Sequence, residues 1–275
     1  MTALALAFAS GISWGIADFL GGLKARQLPL LNVLLASQGT GLVLVGVYML
    51  VRWESPPGEA FAGWAALSGV AGAIGLAAFY RGLAVGNMGV VAPISATAAV
   101  IPVVVGIASG DRPSGIQYAG LVLALAGVVL ASREEVSGAT ARGAGFALIS
   151  ALGFGFFFVG MDSASDADIG WAMLGNRITS FSLLLAAFAV LRPRFAARRT
   201  DAPVLATVGA LDITANGLFA VASTEGLVSL VSVLGSLYPL TTVALAAVVL
   251  GERPHRVAQI GVAMALGGVV LIAAG

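Results

Sequence analysis

The sequence contains no cysteine, only one histidine and few charged residues. Without cysteine, disulfides, thiol catalysis and cysteine-bound metals are excluded. Charged residues occupy 10% of the 275 positions, whereas a soluble domain carries about 25%, so the chain has too little polar surface to face water on all sides. The net charge of +1 gives no reason to expect a nucleic acid partner. These shortages predict a protein that lies in lipid.

The remaining polar residues do not form a recognisable catalytic or metal-binding set. His255 lies in a predicted loop between Pro254 and Arg256, where we expect it to be solvated. No cluster of histidine and carboxylate residues has metal-ligand spacing, and no Ser-His-Asp set can be assembled within the membrane. The Gly-x-Gly strings follow no strand, so they do not indicate nucleotide binding. We therefore expect neither an enzyme nor a cofactor.

Long apolar runs are what the sequence has in abundance. A membrane-spanning helix needs about 20 mainly apolar residues. The strands of a membrane barrel would alternate apolar and polar positions, and these runs do not alternate, so helices are favoured. Ten stretches have the required length: 3–22, 30–51, 60–83, 89–109, 114–132, 143–162, 169–191, 202–222, 228–250 and 256–274. The sequence predicts an all-α polytopic membrane protein with ten transmembrane helices.

A charged motif occurs twice, each time between two apolar runs. Gly110-Asp111-Arg112-Pro113 returns 141 positions later as Gly251-Glu252-Arg253-Pro254, and the following Gly120 and Gly127 return at the same offset. An offset of about half the chain is typical of membrane proteins built from two copies of one unit.

The most polar connection divides the ten predicted helices into five and five. We expect a first repeat over 1–132, a polar linker over 133–142 and a second repeat over 143–275. Because five crossings are an odd number, the second repeat enters the bilayer from the opposite side. The pattern therefore predicts inverted repeats around a central cavity.

Positive charge is distributed unevenly over the two predicted faces. The face with the connections after the odd-numbered helices carries Lys24, Arg26, Arg81, Arg133, Arg142, Arg192, Arg194, Arg198, Arg199, Arg253 and Arg256, and the other face carries Arg52 and Arg112. Cytoplasmic loops of membrane proteins are enriched in lysine and arginine. We expect the first face to be cytoplasmic, with both termini outside, in the inner membrane.

Four local features of the sequence belong together. They are Trp14-Gly15 in the first helix, Tyr80 with Gly82-Leu83-Ala84 closing the third, Pro239 twelve residues before Gly251, and the duplicated Gly-acid-Arg-Pro motif. In this combination the whole chain resembles the EamA-type members of the drug/metabolite transporter superfamily. The resemblance implies a carrier of small solutes with helices 4 and 9 at the centre of its cavity.

The chain departs from that resemblance at two points. Ala98 stands where Pro239 predicts a proline, so we expect the fourth helix to bend elsewhere. Many members of the family keep their termini in the cytoplasm, whereas the lysine and arginine count places them outside.

Four ionisable residues interrupt the apolar runs: Asp18, Arg81, Arg177 and Asp212. Such residues are costly in lipid and usually face a bundle interior, a cavity or a partner. A rise of about 1.5 Å per residue places Arg177 and Asp212 at similar mid-membrane depths, where they can pair. Asp18 and Arg81 lie toward the cytoplasmic ends of their helices and can also pair, or reach the headgroups. Each pair is either a structural lock or part of a binding site.

In the functional alternative, Asp212 binds a substrate ammonium or exchanges a coupling proton. A neighbouring arginine opposes protonation of a carboxylate, so substrate contact is favoured. Helix position adds Asn216, one turn after Asp212, and Tyr238 beside the helix-breaking Pro239. The predicted substrate-binding residues are Trp14, Tyr80, Asn176, Arg177, Asp212, Asn216, Ser236 and Tyr238.

These observations predict a secondary transporter that moves a small polar or amphipathic metabolite by alternating access. Amino acid export is the first expectation, because charges of both signs lie at mid-membrane beside aromatic residues. The alternatives are a sugar or drug carrier, or a non-transporting protein that handles lipid or serves as a scaffold. The expected partners are a small solute, membrane lipid and a coupling proton. The sequence leaves the oligomeric state open.

Overall fold

The structure is a computed structural model that describes residues 1–86, 88–131, 138–251 and 256–274. The described residues form twelve α-helices and no strand. The helices are α1 (Thr2–Ala25), α2 (Leu30–Arg52), α3 (Ala60–Val85), α4 (Met88–Ala96), α5 (Val100–Ser109), α6 (Gly115–Ala131), α7 (Gly138–Ser165), α8 (Ile169–Leu191), α9 (Ala202–Glu225), α10 (Val228–Gly235), α11 (Tyr238–Leu250) and α12 (Arg256–Ala274).

These helices account for the predicted membrane spans. Eight segments of the described chain are long and apolar enough to cross a membrane. Six of them are single helices, and the other two are α4 with α5 and α10 with α11. The shorter apolar helices α6 and α12 occupy the fifth and tenth positions. The prediction of an all-α polytopic membrane protein is confirmed.

Two spans are broken near their middle. The fourth is interrupted by a 3₁₀ turn at Thr97–Ala99, and the ninth is interrupted after Gly235. Proline explains both breaks, because it lacks the N–H that would bond the carbonyl four residues earlier and its ring crowds that carbonyl. Pro102 leaves the carbonyl of Ala98 without this hydrogen bond, and Pro239 leaves that of Gly235 without it. The 3₁₀ turn that interrupts the fourth span therefore includes Ala98 itself, the position equivalent to Pro239.

The helices of the two halves pack in a reciprocal pattern. α1 packs against α9, while α7, the counterpart of α1, packs against α3, the counterpart of α9. The last helices of the two halves, α6 and α12, pack against each other. Exchanging the halves leaves this set of contacts unchanged, which is the arrangement of an inverted repeat with five crossings in each half.

The duplicated glycines form the contact between α6 and α12. A Cβ atom at Gly120 would lie 2.8 Å from the carbonyl oxygen of Gly268, and one at Gly127 would lie 2.6 Å from that of Gly261. Gly261 and Gly268 are the second copies of Gly120 and Gly127, so the two contacts interchange when the halves are exchanged. Glycine lets helix backbones touch inside a membrane, and a side chain at these positions would separate the two helices.

Asp111 of the first charged motif joins the two halves. Its Oδ2 atom accepts a hydrogen bond of 3.0 Å from the backbone N–H of Ser229 in the first turn of α10. The first N–H groups of a helix lack partners within it and favour a carboxylate, so Asp111 stabilises the start of α10. The corresponding residues of the second motif, 252–254, lie outside the described residues, as do His255 and residues 133–137 of the predicted linker.

The outside of the bundle is covered by large apolar side chains. Val51, Val190 and Val248 are each about 80% exposed, a surface that lipid accommodates better than water does. Trp53 and Trp64 are 85% and 45% exposed near the ends of their spans. Tryptophan at such positions is typical of the membrane–water interface.

Candidate functional site

A cavity lies in the middle of the bundle and is lined by helices of both halves. Its walls come from α1, α2 and α3 of the first half and from α7, α8, α9 and α11 of the second half. The space open to the centres of water molecules is ≈ 50 Å³, which corresponds to about three to five waters. The charged and amide side chains on its wall are Asp18, Gln38, Asn176, Arg177, Asp212 and Asn216.

Arg177 is the centre of a polar network that joins α2, α8 and α9. Its Nη2 atom donates to Oδ2 of Asp212 at 2.9 Å, and its Nη1 atom donates to Oε1 of Gln38. Gln38 donates from Nε2 to the same Asp212 oxygen at 3.4 Å. Arg177 is 1% exposed and the Asp212 side chain is 15% exposed. Asp212 is therefore the more accessible member of the buried ion pair.

Local features of three helices hold the arginine in place. Gly41 on α2 makes room for it, because a Cβ atom there would lie 3.2 Å from the guanidinium Cζ. Asp168 caps α8 by accepting a hydrogen bond of 2.8 Å from the Trp171 N–H, which fixes where the helix starts. Asn176 donates to the Ser68 hydroxyl on α3 at 2.9 Å. These contacts orient the face of α8 that carries Arg177.

Aromatic rings form another part of the wall. Trp14 packs against Phe158 with ring centroids 5.7 Å apart, and its indole N–H donates to Oδ1 of Asn216 at 3.0 Å. Tyr238 packs edge-on against Phe154, with centroids 6.2 Å apart. The faces of such rings attract cations, so the cavity combines carboxylates with a surface that favours positive charge.

The break between α10 and α11 leaves polar groups unpaired beside the cavity. The hydroxyls of Ser232, Ser236 and Tyr238 are buried and make no hydrogen bond of standard geometry within the described part of the chain, although Ser95 lies beside the Tyr238 hydroxyl. Buried polar groups are usually paired. Hydrogen bonds from these hydroxyls to a water or a polar ligand would therefore stabilise its binding.

Six of the eight predicted site residues line the cavity: Trp14, Asn176, Arg177, Asp212, Asn216 and Tyr238. The other two lie behind the lining. The ring and hydroxyl of Tyr80 lie against Gly21 on α1. Ser236 is buried at the end of α10.

Other lining residues were not among the predicted site residues. Gln38 is an uncharged polar residue inside an apolar run, which is a weaker sequence signal than an ionisable group. Asp18, for which the sequence left open a pair with Arg81 or contact with the headgroups, instead lines the cavity and is 5% exposed. Arg81 is exposed, and no ion pair between described residues joins the two. Three phenylalanines of α7 also line the cavity: Phe154, Phe157 and Phe158.

Comparisons with known proteins agree with this architecture. The EamA-like transporter family matches residues 1–133 and 141–274, so two copies of the family unit cover nearly the whole sequence. One solved crystal structure superposes with a TM-score of 0.75 over 98% of this chain and 95% of its own, at 16% sequence identity. No curated protein sequence matches the chain significantly. This chain belongs to the EamA-like transporter family and is a multi-pass membrane transporter of the drug/metabolite type.

Proposed function

We propose that the central cavity binds a small ammonium-bearing metabolite and carries it across the inner membrane, with amino acid export as the first assignment. The observation that carries this proposal is the buried network of Arg177, Asp212 and Gln38 on the cavity wall. A carboxylate binds an ammonium group, and a guanidinium binds a carboxylate. Both groups lie on the wall of this cavity beside aromatic rings, which supports a substrate with a positive end and an apolar or acidic remainder.

Alternating access is the mode of transport that this cavity favours. Its volume accommodates only a few waters, so a metabolite enters only when the surrounding helices separate. The halves meet around the cavity in a reciprocal pattern, and rocking of one bundle against the other opens such a site to each side in turn. The breaks at Thr97–Ala99 and after Gly235 are the places where helical hydrogen bonds do not resist bending.

Counterflow in proteoliposomes tests the proposal. Vesicles containing the purified protein are loaded with one solute from a panel of amino acids, sugars and lipophilic cations, and uptake of its labelled form is followed. We expect exchange of ammonium-bearing solutes by the wild type. In Asp212→Asn, loss of a hydrogen bond to a charged group, worth about 1.5–3 kcal/mol, lowers exchange by about 10- to 100-fold.

A double variant separates substrate binding from a purely structural ion pair. Removing one partner of a buried pair costs about 3–5 kcal/mol, whereas replacing both can be nearly neutral. We therefore expect Arg177→Gln with Asp212→Asn to melt closer to the wild type than Asp212→Asn does and still fail to exchange solute. Wild-type exchange by the double variant would contradict the binding role. Preference for sugars, or lipid scrambling without solute flux, would contradict the substrate class.

A further inference from the structure

Asp18 is the carboxylate of the cavity that the arginine network does not use. It lies on α1, is 5% exposed and lines the same cavity as Arg177 and Asp212. Its carboxylate makes no hydrogen bond or ion pair with any residue that the structure describes. Burying an isolated carboxylate is so unfavourable that such a group normally acquires a counter-charge or a proton.

Within the part of the chain that the structure describes, the groups that face Asp18 do not supply a counter-charge. Asp212 on α9 acts on it electrostatically as a second negative group. Tyr80 on α3 and Tyr238 on α11 are its other titratable neighbours. The wall residues from α2 are uncharged, and α10 contains no titratable residue. The guanidinium of Arg177 already bonds Asp212 and the α2 amide. The cavity thus holds two carboxylates and one guanidinium, and that guanidinium is paired with Asp212.

We propose that Asp18 holds the coupling proton of this transporter. This inference rests on the proposed transport function and deepens it. In the conformation described here the Asp18 carboxyl is neutral, so the cavity carries one carboxylate and one guanidinium. When the helices separate, the proton passes from the carboxyl to water in the opened cavity, and the ammonium group of the substrate replaces it as the positive charge beside Asp18.

A proton suits this position better than a metal cation. A metal ion needs several oxygen ligands, but the nearby amide oxygens are engaged: that of Gln38 by Arg177 and that of Asn216 by Trp14. Among the described residues, no group of three or more histidine, aspartate or glutamate side chains can hold a metal ion. Protonation requires no additional ligand.

Infrared pH titration of the purified protein tests the protonation of Asp18 without any transport. We expect a band from a protonated carboxyl at about neutral pH in the wild type and in the control Asp166→Asn, whose aspartate is exposed at the end of α7. Asp18→Asn should lack the band, and Asp18→Glu should retain one. A band that persists in Asp18→Asn, or none in the wild type, would overturn the proposal.

Thermal stability gives a second readout. Asparagine has nearly the shape of a protonated aspartate, so Asp18→Asn should melt at or above the wild-type temperature at neutral pH, whereas Asp212→Asn should melt below it. A large fall for Asp18→Asn would indicate a structurally required carboxylate and count against a bound proton.

Transport under an imposed pH gradient tests coupling with a labelled amino acid as the probe. The wild type and the control Asp166→Asn should accumulate it, whereas Asp18→Asn, which lacks the carboxylate for the proton and for the ammonium group, should show no gain from the gradient. A wild type that transports without responding to pH, or that responds to sodium instead, overturns the role of Asp18 and leaves the proposed function intact. A wild type with no flux for any solute overturns the proposed function, while the infrared band still decides whether Asp18 is protonated.

Discussion

Individual polar residues in this protein hold helices together inside an apolar surrounding. On α1, the hydroxyls of Ser10 and Ser13 donate to the backbone carbonyls of Ala215 and Leu211 on α9, each at 2.8 Å. Lipid provides no hydrophobic driving force between helices, so interhelical hydrogen bonds and close packing carry the association. The α1–α9 contact is therefore specified by small polar side chains.

Replacing Trp14 by phenylalanine tests this idea at a single residue. The ring still packs against Phe158, but the hydrogen bond to Asn216 is lost and leaves a buried amide oxygen unpaired. We expect a loss of about 1–3 kcal/mol in the free energy of unfolding, measured as a lower melting temperature in detergent. Trp64→Phe is the matched control, because Trp64 is 45% exposed on α3. Equal losses in both variants would contradict the assignment.

Pairs of helices are held by backbone contact at duplicated glycines. α6 and α12 are short for membrane helices, so they have few side chains with which to secure their interface. Close approach at Gly120 and Gly127 compensates by bringing the two backbones together. Glycine is needed at these positions because a Cβ atom would lie less than 3.0 Å from backbone atoms of α12, which cannot move aside as a side chain can.

An alanine at Gly127 should force α6 and α12 apart. Its Cβ atom would meet the backbone of Gly261 and Ala265, and overpacking of this kind costs about 1–3 kcal/mol. Gly115→Ala, in the same helix, meets nothing within 4 Å and should leave the melting temperature unchanged. Thermal unfolding of the two variants in one detergent makes the comparison. An unchanged melting temperature for Gly127→Ala would show that the interface is looser than described.

Ion pairs fasten the ends of neighbouring helices and should weaken in acid. The hydrogen bond from Lys24 holds the pKa of Asp201 below its usual value. Partial burial raises the pKa of Asp168, but hydrogen bonds from Arg52 and the Trp171 amide outweigh this effect, and the pKa is lowered. A carboxyl with a lowered pKa stabilises the fold above its unfolded pKa, about 3.9. That contribution is lost as the pH falls through the folded pKa.

We therefore expect the stabilisation from both pairs to be constant near neutral pH and to disappear below about pH 4. Melting temperatures across this range check the prediction. Asp168→Asn removes one titrating group, so the acid-induced fall should be smaller than in the wild type. Coincident pH profiles would exclude Asp168 as a contributor.

The chain consists of two halves related as an inverted repeat, and the polar network around Arg177 forms a seam between them. The arginine of the seam comes from α8, its carboxylate from α9 and its amide partner from α2. Both halves thus contribute to one site, and in the proposed alternating access a movement of either half would change the exposure of that site. This coupling between packing and access is what a carrier requires.

The absence of cysteine makes the inverted arrangement directly testable. Ser114→Cys and Arg256→Cys place single thiols beside the two charged motifs, and both positions are exposed. A membrane-impermeant maleimide should label them from opposite sides, with Ser114 reached from outside according to the lysine and arginine count. Ser55→Cys, in the connection between α2 and α3, should label from the same side as Ser114. Labelling of Ser114 and Arg256 from one side would contradict the inverted repeat.

The sequence by itself determined the membrane class, the helical secondary structure and the duplication, because apolar length and the 141-residue offset are properties of the chain read in order. It also placed Arg177 and Asp212 at one depth, since rise per residue is constant along a helix. Only the tertiary structure decided how each helix is rotated. The rotation of the helices brings Gln38 to Arg177 across 139 positions of sequence. It also places Asp18 on the cavity wall rather than in a pair with Arg81. The sequence could not predict either, because packing between distant helices depends on contacts that no local pattern encodes.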